Sequence, residues 1–198
     1  MAPTPLSLSP RSTIAPREIH VDLEARETSW EIAPGRTVSA WGYQGSVPGP
    51  TIVAHVGDTI VAHLVNSLPE PTVIHWHGLR LPAAMDGTAS VQRLVQPGER
   101  FEYRFELPDA GTFWYHSHAN ETVQIERGLY GAMVVLGPDE PPFDADRLLV
   151  FDDVKLDRRS GRSSTRRGWI TRFTCMGSSF RSSQTTARQS SPPRGRTR

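Results

Sequence analysis

Apolar and polar residues alternate in short stretches along most of this chain. The clearest run sets Phe101, Tyr103, Phe105 and Leu107 against Glu102, Arg104 and Glu106. Successive strand side chains point to opposite faces, so a period of two predicts a strand with one buried face. Val21, Leu23 and Ala25 alternate with Asp22 and Glu24 in the same way. Ile60, Ala62 and Leu64 predict another strand, and Val61 between them makes both of its faces look buried. Turn chemistry separates the runs at Pro34-Gly35, Pro48-Gly49-Pro50, Gly57-Asp58, Asn66, Pro97-Gly98 and Pro108-Asp109-Ala110-Gly111. Many short strands joined by such turns predict an all-β Greek-key sandwich or barrel over residues 17–138. Only Ala119–Arg127 reads as a short helix.

The two ends depart from this pattern. Residues 1–16 are rich in Pro and Ser and predict a disordered arm. They lack the apolar core of a secretory signal, and no apolar run approaches the length of a membrane span. Residues 139–154 read as a linker followed by the first strand of a truncated second domain, Arg147–Val154, whose Leu148, Leu149, Val150 and Phe151 need a partner surface.

The net charge of +1 hides a sharp split. Residues 1–154 carry 10 Arg and 20 Asp or Glu, whereas residues 155–198 carry 11 Arg, one Lys and one Asp. In that last stretch 32 of 44 residues are Arg, Ser, Thr, Gly or Pro, too few apolar groups to offset ordering entropy. It is expected to be an unstructured basic tail. A basic arm for nucleic acid or acidic lipid is one use for such a segment. The preferred reading is GC-rich coding text read out of frame, so no nucleic-acid partner is expected. Resequencing the gene tests this, and an intact frame at the boundary overturns it.

Four of the seven histidines stand in two His-x-His pairs, His75-Trp76-His77 and His116-Ser117-His118. On a strand, residues i and i+2 share a face, so each pair aims two imidazoles one way and its middle residue the other. If the two strands are neighbours, four imidazoles converge, a donor set that suits Cu, Zn, Fe or Ni. One such pair alone is commonly chance on a half-exposed strand. His20, His55 and His63 read as surface or edge residues. Trp76, Trp114 and Tyr115 read as core.

The flanks of these pairs resemble the N-terminal cupredoxin domain of multicopper oxidases, the family of laccases and bacterial copper-efflux oxidases. The matching pieces are Val47-Pro48-Gly49-Pro50-Thr51-Ile52, Gly57-Asp58, Asn66, His75-Trp76-His77-Gly78-Leu79, Met85-Asp86-Gly87, Pro108 through His118, and Gly128-Leu129-Tyr130-Gly131. The resemblance implies a copper cofactor shared between domains. By position His75 resembles a ligand of the type 2 copper, and His77, His116 and His118 resemble ligands of the type 3 pair. Asp86 matches an acidic residue that helps deliver protons during dioxygen reduction, although an Asp-Gly pair is also ordinary turn chemistry. The resemblance further implies dioxygen and a one-electron donor as reactants, and a periplasmic or secreted location.

The same resemblance shows what this sequence lacks. The type 1 copper of that family needs a Cys thiolate and two histidines. Cys175 is the one cysteine, and no histidine follows His118. The chain is therefore expected to be inactive alone, supplying half of the trinuclear ligands and needing the missing cupredoxin domains in cis or in trans. Two alternatives stay open: a copper-binding module that completes a cluster with a separate chain, and a cupin-type metal enzyme.

Overall fold

The computed structural model describes residues 15–138, 145–156, 163–176 and 179–184. The strands are β1 (Glu18–Ala33), β2 (Arg36–Tyr43), β3 (Gly49–His55), β4 (Thr59–Asn66), β5 (His75–His77), β6 (Arg100–Glu106), β7 (Gly111–His116), β8 (Tyr130–Leu136), β9 (Ala145–Leu156), β10 (Ser163–Met176) and β11 (Ser179–Gln184). One six-residue helix, α1 (Glu121–Glu126), follows the second histidine pair. Among the described residues no helix is long and apolar enough to cross a membrane.

Two four-stranded sheets form the body, in the orders β2-β1-β4-β6 and β3-β8-β7-β5. Each is mixed: β1 runs parallel to β4, β3 runs parallel to β8, and the remaining neighbours are antiparallel. This is the all-β sandwich that the periodicity predicts, of the cupredoxin type that the resemblance implies. On β6, Tyr103 and Phe105 are buried, Phe101 packs against the core, and Glu102 and Arg104 are exposed. On β4, Ile60, Val61, Ala62 and Leu64 are all buried, as the run of apolar residues requires.

The core lies between the sheets, and Trp76 is its pivot. Its indole meets Phe105 at 4.9 Å, Tyr103 at 5.6 Å and Tyr115 at 5.7 Å between ring centroids. A three-residue strand has too few ladder bonds to hold its own orientation. Burial of a large apolar side chain contributes about 1.5–3 kcal/mol, enough to fix which way β5 faces. Trp76 inward sets His75 and His77 outward.

Beyond the body, β9, β10 and β11 form a separate antiparallel sheet in the order β11-β10-β9. Within the basic segment, the backbone of Ser163–Met176 and Ser179–Gln184 is strand-paired. Ladder bonds use main-chain groups, so an edge as long as β9 can template pairing by a polar sequence. The apolar run on β9 thus has a strand neighbour, yet Leu149 and Phe151 remain 40% and 52% exposed. The expected N-terminal arm lies outside the described residues as far as residue 14, as do residues 139–144 of the expected linker and 185–198 of the tail.

Candidate metal centre

Strands β5 and β7 are antiparallel neighbours, in the register His75 to His116, Trp76 to Tyr115 and His77 to Trp114. The pleat sorts these pairs. Trp76 and Tyr115 point into the core, and His75, His77, Trp114 and His116 share the opposite face. His118 follows just past the end of β7.

The four imidazoles converge as the shared-face argument requires. His75 is the hub: its ring centroid lies 5.6 Å from His77, 5.2 Å from His116 and 5.1 Å from His118. His116 lies 5.6 Å from His77 and 5.9 Å from His118. One ring nitrogen from each of His75, His77 and His116 falls within 4.8 Å of the others. His118 stands outside that triad, with Nε2 3.6 Å from Glu121 Oε2.

Two tautomers follow from the partners. His75 Nδ1 is 2.8 Å from the Asp86 carbonyl, and a carbonyl only accepts, so Nδ1–H donates and Nε2 keeps its lone pair. His116 Nδ1 likewise donates to the Ser117 carbonyl at 2.9 Å. That leaves His116 Nε2 facing His77 Nδ1 at 3.4 Å. Burial pushes the His116 imidazole down to about 3, with the neighbouring histidine charges adding to it. Burial, then the charge of His75, also lowers His77. Both stay neutral at pH 7, which is the form that ligates a metal. A neutral, nitrogen-only, partly buried donor set fits copper.

Asp86 reaches the site mainly through its backbone. Its carboxylate is farther away, with Oδ1 3.6 Å from His75 Nδ1. The Asp86-Gly87 turn is pinned from behind. Gly87 has φ +76°, and a Cβ there would sit 1.8 Å from the Ile74 carbonyl oxygen, so only glycine permits this approach. The Gly87 N–H donates to Gln92 Oε1 at 3.1 Å, and Gln92 Nε2 donates to the Tyr103 hydroxyl at 3.0 Å. That hydroxyl also accepts the Ile74 N–H at 2.8 Å.

Trp114 is a correction to the sequence reading, which placed it in the core with Tyr115. It stacks on His116 with centroids 4.0 Å apart and planes 27° apart. It stands two residues before His116, so period-two geometry puts both on one face. The sequence reading also missed Gln92, Thr72 and Gln124, all of them buried. Gln124 carried a faint signal, a polar residue between Val123 and Ile125 in a short helix. His20 and His63 sit together on the other sheet, with rings 6.1 Å apart, and are substantially exposed. His55 accompanies Asp58, where burial alone would raise the carboxyl but the His55 and Arg17 backbone N–H groups hold it lower.

Comparison with known proteins identifies the family. The sequence is 40% identical over 143 residues to the multicopper oxidase MmcO of Mycobacterium tuberculosis, a match covering 72% of this chain and 26% of that protein. It is 42% identical over 154 residues to an L-ascorbate oxidase of Nicotiana tabacum, covering 73% of this chain and 26% of that protein. Among solved structures, a multi-copper oxidase from Pseudomonas thermotolerans superposes with a TM-score of 0.61 at 43% identity, over 64% of this chain and 31% of that chain. The chain thus spans about a quarter of the length of the curated relatives it matches. The family profile for multicopper oxidases matches residues 24–140, more than half of the sequence, and the chain belongs to that family.

Proposed function

We propose that residues 17–138 are the N-terminal cupredoxin domain of a laccase-like multicopper oxidase, supplying half of the histidine ligands of its trinuclear copper cluster. The observation that carries this reading is the convergence of three imidazole nitrogens within 4.8 Å on one sheet face, with the His118 ring 5.1 Å from His75. In this assignment His75 ligates the type 2 copper, and His77, His116 and His118 ligate the type 3 pair. The remaining ligands and the type 1 site belong to further cupredoxin domains, in cis or in trans. The chemistry that such a cluster supplies when bound is reduction of dioxygen to water with electrons from a one-electron donor.

The residues of this chain prepare the site for that chemistry. The Asp86 and Ser117 carbonyls hold Nδ1–H of His75 and His116, so each presents Nε2 to the metal in a fixed orientation. Trp114 covers one face of His116 and keeps water from it. The Asp86 carboxylate, 33% exposed and 3.6 Å from His75 Nδ1, is the proton-relay group of this reading.

Copper titration of the purified chain tests this, with His75→Ala and His116→Ala alongside and oxygen uptake followed with a phenolic donor. Copper is expected to bind in preference to zinc, and both variants are expected to weaken it. Oxygen uptake is expected to be absent. Sustained copper-dependent oxygen reduction by this chain alone refutes the half-site reading, and unchanged binding in both variants refutes the choice of histidines.

A further inference from the structure

Behind the second histidine pair lies a buried polar cluster that the copper assignment does not use. Thr72, Ser117 and Gln124 are each fully buried. Gln124, on α1, is at its centre. Its Oε1 accepts from Thr72 Oγ1 at 2.8 Å and from Ser117 Oγ at 2.5 Å. Its Nε2 donates to Glu70 Oε1 at 2.8 Å and to the Pro71 carbonyl at 2.9 Å. A glutamine amide has two acceptor sites and two N–H donors, so its capacity is filled. Ser117 Oγ also lies 3.3 Å from the Ala119 N–H and 3.2 Å from Thr72 Oγ1.

The chain segments joined here matter more than the bond count. Glu70, Pro71 and Thr72 lead directly into His75 and His77, with two residues between Thr72 and β5. Ser117 is the middle residue of the second pair, and its carbonyl holds His116 Nδ1–H. One side chain therefore ties together, from the interior, the approach to the first pair and the centre of the second. Such a cluster is an expensive way to fill space. A buried amide and two hydroxyls contribute little net stability beyond an apolar core of the same shape. They do fix angles, because hydrogen bonds are directional and apolar contacts are not.

We infer that Gln124, with Thr72 and Ser117, is a positioning residue of the copper half-site: it sets the placement of the His116–His118 segment against His75 and His77. This rests on the half-site reading above. Loss of a partner that orients a metal ligand costs about 10-fold to 100-fold in metal affinity. Gln124→Met keeps the volume, removes all four bonds and leaves the Thr72 and Ser117 hydroxyls without their amide acceptor. The triple variant Gln124→Met, Ser117→Ala, Thr72→Val removes the two buried hydroxyls as well.

The experiment uses the full chain and three readouts: metal-free melting temperature, Cu(II) affinity by chelator competition, and the EPR hyperfine coupling of bound Cu(II). Gln124→Met is expected to melt earlier, bind copper about 10-fold to 100-fold more weakly and change the hyperfine coupling. The triple variant is expected to regain most of the melting temperature while its copper affinity and coupling stay altered. A triple variant that recovers affinity and coupling along with stability overturns the inference, since Gln124 would then be a packing residue. Wild-type copper binding in Gln124→Met overturns it too. A His116→Ala control separates the two levels: if that variant binds copper as the wild type does, the half-site reading itself has failed.

Discussion

The two histidine pairs share one local pattern but have different surroundings. The first sits on β5, a three-residue strand that is anchored by Trp76 and oriented by a loop backbone. His75 retains 18% side-chain exposure, and its Nδ1–H goes to the carbonyl of Asp86. The second begins on β7, between β5 and β8, where His116 is 1% exposed and stacked on Trp114. Behind it stands the Gln124 cluster. The first pair is thus placed by a turn that only glycine allows, and the second by packing and a saturated polar network. In the proposed half-site the same residue type would therefore carry different loads: His75 would mainly bind, whereas His116 would both bind and hold the sheet.

The contrast can be broken at four points. The largest effect is expected from Gly87→Ala. The new methyl would meet the Ile74 carbonyl at 1.8 Å in a left-handed conformation, so the turn must move. A loss of about 3 kcal/mol is expected in urea denaturation, together with weakened copper binding through His75. Stability like that of the wild type would show that the turn is not what pins the first pair.

Next is the pair His116→Ala and His75→Ala. Removing the buried, stacked ring is expected to cost about 2–3 kcal/mol, and removing the more exposed one about 1 kcal/mol, both in the metal-free chain. Equal costs would erase the distinction between a binding ligand and a ligand that also supports the fold.

The third is pH. The folded, metal-free chain keeps His116 neutral down to about 3, against an ordinary 6.5 when unfolded. Between those values the unfolded state binds more protons, so stability is fully present above the window and falls as the pH falls through it. The slope from this one group approaches about 1.4 kcal/mol per pH unit. Denaturation midpoints from pH 7 to pH 4 measure it. His116→Ala should flatten the profile by that amount.

The smallest effect is expected from Asp86→Asn. The bond to His75 comes from the backbone carbonyl, which the substitution keeps. Stability should change by less than about 0.5 kcal/mol and copper affinity by less than about threefold. A large loss of affinity would show that the carboxylate, not the carbonyl, orients His75.

Much of this was legible from residues alone. Phe101, Tyr103 and Phe105 declare a half-buried strand at period two, and β6 has that face buried. The His-x-His spacing announces a shared face for each pair, and the structure brings the four rings together. Trp114 was misplaced although its spacing from His116 pointed to the histidine face.

What the sequence by itself determined is periodicity, ligand chemistry and family: quantities that depend on neighbours a few residues apart or on the order of motifs. What only the tertiary structure decided is which carbonyl fixes each tautomer, how far His116 is withdrawn from water, and what stands behind the site. Thr72, Ser117 and Gln124 are separated by 45 and 7 residues along the chain, yet they form one hydrogen-bonded cluster. No local pattern encodes that meeting, because it is fixed by the closing of two sheets around Trp76 and by the seating of a six-residue helix against them.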